Sequence, residues 1–397
     1  MFQYDVVVIG GFGHVGLPLA ISLADAGKRV CALDINRDVM DKINHGEMPF
    51  IEYGADKILR KVLKNKRLSL SIDAGVISLG QAVIIVIGTP VDEHLNPEFE
   101  LIRKTMESYK KYFVNGQLII LRSTVYPGTT DMISRWFKDN DINVDVAFCP
   151  ERIAEGYAIK ELRELPQIVS AVTDRGFKKA KELFFDLTTD IIRLKPVEAE
   201  LAKLFTNVWR YIKFATANQF FIIANDHKAN FYKIYEAMTY NYPRSKDLPR
   251  PGFAAGPCLF KDAMQLAAFN NNNFYLGHAA MLLNEGLPNY IVNRLKISHK
   301  LREMSVGILG MAFKADVDDK RESLSYKLKK ILSFEAKKVF VSDVYIKEND
   351  FVSQYELIKK SDIIIIASPH KEYKKIKFPK NKIVVDIWNI YGLGCII

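Results

Sequence analysis

Val6-Val7-Val8-Ile9-Gly10-Gly11-Phe12-Gly13-His14-Val15-Gly16 begins as a β-branched apolar run and breaks on glycine. Such a run reads as a buried strand, here Tyr4–Gly10, and a helical pattern follows from Gly16 to about Ala26. The spacing Gly11-x-Gly13-x-x-Gly16 between strand and helix is that of a dinucleotide-binding turn. Gly11 permits the tight turn, Gly13 lets the backbone approach a pyrophosphate, and Gly16 lets helix and strand pack closely. The pyrophosphate would lie at the helix N-terminus, where unpaired N–H groups favour an anion. Phe12, His14 and Val15 belong to the same turn and count with the glycines as cofactor contacts. A second strand, Val30–Asp34, closes on Asp34, eighteen residues after Gly16. A carboxylate there accepts hydrogen bonds from a ribose diol and repels a 2′-phosphate, which favours NAD over NADP. Arg37 weakens that preference, and a glycine turn that serves packing alone is the competing reading.

The alternation continues. Strand runs at Ala82–Gly88, Gln117–Ser123 and Asp145–Cys149 are separated by helical patterns, which predicts a parallel sheet covered on both faces. From Val197 to about Asp226 no Pro or Gly interrupts a helical period, a length suited to a domain connector or dimer core. Strand runs return at Ser305–Gly310, Lys338–Ser342, Asp362–Ala367 and Lys382–Ile387. The expected fold is α/β, with two Rossmann-like lobes of parallel sheet joined by a central helical domain containing one long helix. The boundaries are expected at 1–195, 196–296 and 297–397.

Composition narrows the function classes. The chain has 397 residues, 49% apolar and 26% charged, with a net charge of +10. That is an ordinary globular composition, and the diffuse basicity suits small anionic substrates as well as polyanions. No nucleic-acid motif accompanies it. Four cysteines without CxxC pairing and seven scattered histidines argue against a metal site and against a disulfide framework. Neither a signal peptide nor a run long enough to cross a bilayer is visible, so a cytoplasmic location is expected.

Six further segments carry chemistry. Thr89 in Ile87-Gly-Thr-Pro90 and Thr124 in Arg122-Ser-Thr-Val-Tyr-Pro follow strands, so they fall at the sheet's carboxyl edge, where such folds bind ligands. Both are expected to touch cofactor or a reacting water. Cys149-Pro-Glu-Arg-Ile-Ala-Glu155 also follows a strand. It offers Glu151 and Arg152 toward substrate and Glu155 toward cofactor; a surface salt-bridge loop is the alternative. Lys203, Asn207 and Arg210 share one face of the long helix. There Lys and Asn could donate to a developing oxyanion, or a neutral Lys could act as base. In Pro251-Gly-Phe-Ala-Ala-Gly-Pro-Cys258-Leu-Phe-Lys-Asp262 a thiol stands at a helix start with a carboxylate one turn on. A helix N-terminus steadies a thiolate, although a lone cysteine also packs well as a small hydrophobe. In Ala312-Phe-Lys-Ala-Asp-Val-Asp-Asp319-Lys-Arg321, Lys314 and Arg321 could engage phosphates and Phe313 could stack on a base.

Together these segments resemble the UDP-glucose/GDP-mannose dehydrogenase family. The ordered matches also include Asn44-His-Gly-Glu-Met-Pro-Phe50, Asn284-Glu-Gly-Leu-Pro288, Ser368-Pro-His370 and Val385-Asp-Ile-Trp-Asn389, and they span nearly the whole chain. The resemblance implies an NAD-binding first lobe, a last lobe that binds the nucleotide of a UDP-sugar, and a homodimer built on the long helix. It implies oxidation of the sugar C6 hydroxymethyl to a carboxylate in two steps. By the same resemblance Cys258 is the nucleophile, Lys203 and Asn207 polarise the C6 oxygen, and Asp262 assists proton transfer during hydrolysis. Glu151 and Thr124 serve acid–base work and water placement. Lys314 contacts substrate, Arg321 contacts the cofactor side, and Arg244 reaches the sugar, of a neighbouring subunit. Pro150-Glu-Arg-Ile153 is more similar to the N-acetylhexosamine branch than to the UDP-glucose branch.

The chain departs from the family pattern at Ala255-Gly256-Pro257, where many relatives have Gly-Gly followed by His or Ser. Pro257 suits a first helical position and removes one oxyanion donor. The competing functions are UDP-glucose oxidation, a hydroxyacid dehydrogenase of the 6-phosphogluconate type, and a non-catalytic nucleotide-sugar binder. The hydroxyacid enzyme would need neither Cys258 nor a second α/β lobe.

Overall fold

The computed structural model describes residues 2–88, 99–254, 256–395 and 397; Thr89 and Ala255, singled out in the sequence, lie outside them. The chain divides into two compact units, 1–206 and 207–397.

The first unit is built on eight strands: β1 (Tyr4–Ile9), β2 (Val30–Leu33), β3 (Leu68–Ser71), β4 (Gly80–Ile85), β5 (Leu118–Leu121), β6 (Asp145–Phe148), β7 (Gln167–Ala171) and β8 (Ile191–Arg193). They form one sheet in the order β3-β2-β1-β4-β5-β6-β7-β8. Every neighbouring pair is parallel except β6 and β7, which pair Ala147 with Ala171 and Phe148 with Ser170 in antiparallel register. The expected all-parallel sheet thus holds through β6. The antiparallel step arises because β7 starts from the end where β6 stops, after the local excursion 149–166, so no crossover helix is needed. The central strands β2, β5 and β6 are buried at every position, as a sheet covered on both faces requires. The edge strand β8 is largely exposed. At the carboxyl edge, paired strand ends at Ile85, Leu121 and Phe148, two or three residues short of the expected ends for the first two. The residues beyond peel away as loops, and these are the loops with the candidate chemistry.

Asp145, at the start of β6, is a buried charge with partners. Arg175 Nε lies 2.8 Å from its Oδ2, Lys179 Nζ 3.0 Å, and the Thr173 hydroxyl donates to Oδ1 at 2.9 Å.

The second unit carries β9 (Ser305–Leu309), β10 (Lys338–Ser342), β11 (Ile363–Ile366) and β12 (Ile383–Val385), all parallel, in the order β10-β9-β11-β12. One helix of this unit packs into the same core as its sheet. Leu287, Ile291 and Leu295, on the helix Tyr275–Ser298, cluster with Val306 and Ile308 of β9 and Ile363 and Ile365 of β11. The long helix runs Pro196–Asp226, close to the sequence reading, and the division between units falls within it. None of the helices among the described residues is long and apolar enough to cross a membrane.

Two outcomes follow. A Cβ at Gly16 would lie 2.1 Å from the Gly10 carbonyl oxygen. Gly16→Ala should therefore lower stability by about 1–3 kcal/mol and weaken dinucleotide binding; an unchanged unfolding midpoint and unchanged affinity would contradict this packing. The second concerns acid. Burial pushes the Asp145 carboxyl up, but Arg175, Lys179 and Thr173 outweigh it and hold the group below the ordinary carboxylate range. A carboxyl depressed on folding contributes stability above its unfolded pKa, near ~3.9, and that stability is lost as pH falls through the folded value. Asp145→Asn should lower stability at neutral pH and flatten its decline below roughly pH 4, as read from thermal unfolding across pH.

Candidate active site

In the first unit the glycine turn divides its duties differently from the sequence reading. The positive φ that makes the tight turn belongs to Gly10 (φ +75), where a Cβ would lie 1.8 Å from the Val86 carbonyl oxygen. Gly11 is needed for close packing instead: its Cβ would lie 2.7 Å from that of Ala32 in β2. Gly13 is exposed, and its nearest neighbour would be the Gly10 oxygen at 3.7 Å, so the backbone there is open to approach. Val15 holds the N-cap position of the helix Gly16–Asp25 without a side-chain cap; Leu17 N–H already donates to the Gly13 carbonyl at 3.0 Å and Pro18 has no N–H, so Gly16 N–H is the first-turn donor left for a ligand. His14 stacks on Phe50 at 4.1 Å, which gives the Asn44–Phe50 segment its place beside the turn. The Phe12 ring is buried in the core, so its side chain serves packing rather than a cofactor. Asp34 accepts from Phe12 N–H at 3.1 Å and from Ile35 N–H at 2.8 Å. Each oxygen keeps a lone pair for a ribose hydroxyl. An open Gly13, an uncapped helix start and an acid at the end of β2 fit a diphosphate-linked NAD.

Buried side chains hold the neighbouring loops. Arg122 is fully buried and donates through Nη1 to the Cys149 carbonyl and to Gln167 Oε1, both at 3.1 Å. Glu151 N–H donates to the Arg122 carbonyl at 3.3 Å, and the Glu151 carboxylate accepts from Ile153 N–H. Arg152 donates to the Pro166 carbonyl. Glu52, only 3% exposed, accepts from Gly156 N–H at 3.1 Å and Ile159 N–H at 3.3 Å, fixing the chain next to half-buried Glu155. Thr124 is half-buried in the loop after β5. Glu200, on the long helix, ties down the far end of that loop, accepting from Gly128 N–H at 2.6 Å and from Thr130 N–H and hydroxyl at 2.8 and 2.6 Å. One turn on, Lys203 is 6% exposed, and no group among the described residues accepts from its ammonium. An ammonium on a buried stem, still open at its tip and lacking a protein acceptor, is suited to negative charge arriving on a substrate.

In the second unit Cys258 is the N-cap of the helix Leu259–Phe269, and Asp262 N–H donates to its carbonyl at 2.9 Å as the first helical bond. Pro257 therefore precedes the cap, two residues before the first helical position expected of it, and no side chain caps the helix. The N–H groups of Leu259 and Phe260 lack intrahelical acceptors and can serve an oxyanion. Burial pushes the thiols of Cys31, Cys149 and Cys395 up to about 12, whereas Cys258 is the exposed one of the four. Asp262 is completely buried and accepts from Asn207 Nδ2 at 2.6 Å, with Lys261 Nζ 3.0 Å from its other oxygen. Arg210 and Arg244 are exposed, the latter donating to the Tyr242 hydroxyl at 3.3 Å.

The cysteine loop is shaped by residues to which the sequence reading gave no role. Asn218, completely buried on the long helix, grips Gly252 from both sides: Gly252 N–H donates to Oδ1 at 2.8 Å and Nδ2 donates to the Gly252 carbonyl at 3.1 Å. Nδ2 also donates to Asn284 Oδ1 at 2.9 Å, and Asn284 Nδ2 to the Tyr211 carbonyl at 3.1 Å. A Cβ at Gly252 would fall 2.4 Å from the Trp388 ring. At Gly256 (φ +109) it would fall 2.6 Å from the Phe313 ring, so Phe313 lies on the backbone two residues before the thiol. Lys314 Nζ is 5.8 Å from the centre of that ring. Arg321 Nε forks onto Asp319 at 3.0 and 2.9 Å. Asn284 opens one of the family-matching stretches, whereas the signal for Asn218 is a polar side chain inside an otherwise apolar helix face.

Asn218→Ala leaves buried backbone groups of Gly252 unpaired. It should cost about 1–3 kcal/mol of stability and speed alkylation of Cys258. Wild-type alkylation rates in the variant would show that the loop is held by other means.

Comparison with known proteins adds three domain matches. Residues 5–188 match the UDP-glucose/GDP-mannose dehydrogenase family, NAD binding domain; 197–285 match its central domain; and 307–392 match its UDP binding domain. The chain is 31% identical to a UDP-N-acetyl-D-mannosamine dehydrogenase of Methanocaldococcus jannaschii, over 97% of this chain and 92% of that protein. It superposes with a TM-score of 0.87 on a UDP-D-ManNAc dehydrogenase from Pyrococcus horikoshii, at 29% identity, covering 94% of this chain and 91% of that one. A UDP-glucose dehydrogenase from Pyrobaculum islandicum shares the fold at the same TM-score of 0.87, with 24% identity, 96% of this chain and 94% of that one.

Proposed function

The chain belongs to the UDP-glucose/GDP-mannose dehydrogenase family and is an NAD-dependent nucleotide-sugar dehydrogenase, and on that premise we propose that it oxidises a UDP-N-acetylhexosamine, the manno epimer first, to the uronate through Cys258. The observation that carries the reading is one exposed thiol at an uncapped helix start, next to a buried Asn207–Asp262 pair. The choice of sugar is supported by the relatives named for UDP-N-acetyl-D-mannosamine and by Pro150-Glu-Arg-Ile153. We read the domains as 1–195, 196–296 and 297–397, with NAD held by Gly11, Gly13, Gly16 and Asp34.

Bound NAD would supply a hydride acceptor for each of the two oxidations. The chain's own residues manage the rest. In the first oxidation C6 loses a hydride and its hydroxyl loses a proton; Lys203 and Asn207 stabilise the oxygen as that proton leaves. The Cys258 thiolate then adds to the aldehyde carbon, forming a C–S bond and a thiohemiacetal whose oxygen takes up a proton. Loss of a second hydride and that proton gives the thioester. Water adds to it, Asp262 assists the proton transfer, and the C–S bond breaks to release carboxylate and restore the thiol. Covalent capture answers a physical need, because a free aldehyde would diffuse away and hydrate. Glu151 and Thr124 take water placement and acid–base work. Arg152, Arg210, Phe313 and Lys314 take substrate binding, and Glu155 and Arg321 the cofactor side.

A homodimer fits the exposed apolar stripe of the long helix. Trp209 (55% exposed) stands about three helical turns before Phe220 (39%), and Ile223 (49%) follows on the same face within one more turn, an arrangement that on a lone monomer would face water. In a dimer, Arg244 would serve the neighbouring subunit's sugar. Trp209→Glu should yield monomers by light scattering if that stripe is the interface. The location read from the sequence is cytoplasmic.

With a panel of UDP-sugars, two NADH should appear per sugar consumed; one per sugar, or none with any of them, rejects the reading. Cys258→Ser should fail to complete the oxidation, and uronate formed at the normal yield would remove the covalent role. Lys203→Ala should slow turnover on the order of 10²–10⁴-fold.

A further inference from the structure

The loop that leaves β9, residues 310–321, carries Phe313 and Lys314, yet few of its anchors lie within it. Asp343, just past β10, accepts from Met311 N–H at 2.5 Å and Ala312 N–H at 3.1 Å through Oδ2. Its Oδ1 accepts from Tyr345 N–H at 2.7 Å and Ile346 N–H at 3.0 Å. His370, after β11, completes the arrangement. Asp316 N–H donates to its Nδ1 at 2.9 Å, and its Nε2 lies 3.1 Å from Asp343 Oδ2. Lys371 N–H returns a bond to Asp316 Oδ1 at 3.0 Å.

The side chains of His370 and Asp343 are both 0% exposed. Because a backbone N–H points at Nδ1, that nitrogen is the acceptor and the ring proton sits on Nε2, directed at Asp343. The ring is edged by Tyr345 at 5.0 Å and Tyr373 at 5.3 Å, which fixes its plane. Asp316 sits at φ +58, a strained backbone for a non-glycine residue, so the bond from its N–H to His370 helps hold a conformation the loop would not keep alone.

We infer that His370 is a positioning residue for substrate: its imidazole bridges the loops after β9, β10 and β11 and so sets Phe313 and Lys314 for the nucleotide. This rests on the reading of residues 297–397 as the UDP-sugar domain. The reach extends to the thiol, because the Phe313 ring packs on Gly256, two residues from Cys258. Neither a proton nor an electron passes through His370; it acts through geometry alone.

The test uses calorimetry with UDP and, separately, NAD on the full chain, plus amide hydrogen exchange over 311–318. His370→Ala should weaken UDP binding by about 10–100-fold, the range of one lost buried hydrogen-bond anchor. It should leave NAD affinity unchanged and expose the 311–318 amides. His370→Asn, whose side-chain oxygen can replace Nδ1 as acceptor for Asp316 N–H, should recover part of the UDP affinity. His370→Gln, whose amide reaches only the Nε2 position, should recover less. Unchanged amide protection in His370→Ala overturns the clamp whatever the ligand. Equal loss of UDP and NAD affinity with a lowered melting point overturns it too, because that is general unfolding. If wild type binds no UDP while the amides still open in the variant, the clamp stands as a loop anchor and the nucleotide reading falls.

Discussion

Parallel pairing is the constraint from which the rest follows. When neighbouring strands run the same way, every carboxyl end lies on one edge, and the loops leaving that edge must hold their backbone groups without a ladder. Each unit meets this demand with buried or half-buried polar side chains supplied by other segments. Asp34, Glu52, Arg122 and Glu200 do so in the first unit, and Asn218 and Asp343 in the second. These groups keep the loops in one conformation while leaving their outer surfaces polar and open. A loop edge rigid enough to orient a sugar carbon to within a fraction of an ångström needs such support, since packing alone constrains only the strands.

The same principle separates exposed from buried sulfur. Three thiols lie in the cores, where loss of water disfavours the thiolate, and one stands at a helix start in contact with solvent. Asp262 presents the complementary case, a carboxylate with no exposed surface that keeps its place through Asn207. Sulfur reaches solvent while the acid is sheltered, and that asymmetry suits a nucleophile that must meet an incoming carbon beside a group that handles protons.

Much of this was legible in the residues. The runs at Tyr4–Gly10, Val30–Asp34 and Ser305–Gly310 became strands because β-branched runs ending on glycine or acid have few other stable uses. The long helix was placed to within about a residue at each end, since nothing in it breaks the period. Leu68–Ser71, Gln167–Ala171 and Ile191–Arg193 were missed. They are short, partly polar or exposed edge segments, whose pairing depends on a partner far away in sequence. The candidate chemistry was visible wherever a residue type is costly to bury, as with Lys203 and Asp262. The anchors were not: Asn218 and Glu200 look like ordinary polar residues, and His370, though part of a family-matching stretch, has no evident task until the groups it binds are brought to it.

Gly252 and Trp388 carry a consequence for how this molecule is made. The indole that walls the cysteine loop belongs to a segment synthesised more than a hundred residues after Cys258. At roughly 5–20 residues per second, the wall arrives on the order of ten seconds after the thiol. During that interval the nascent loop carries its thiol and lacks the surface that shapes it. Ribosomal order therefore leaves the cysteine loop without its wall until the last strand of the second unit's own sheet has been made, and the newborn chain passes through a stage in which this exposed thiol has the least cover.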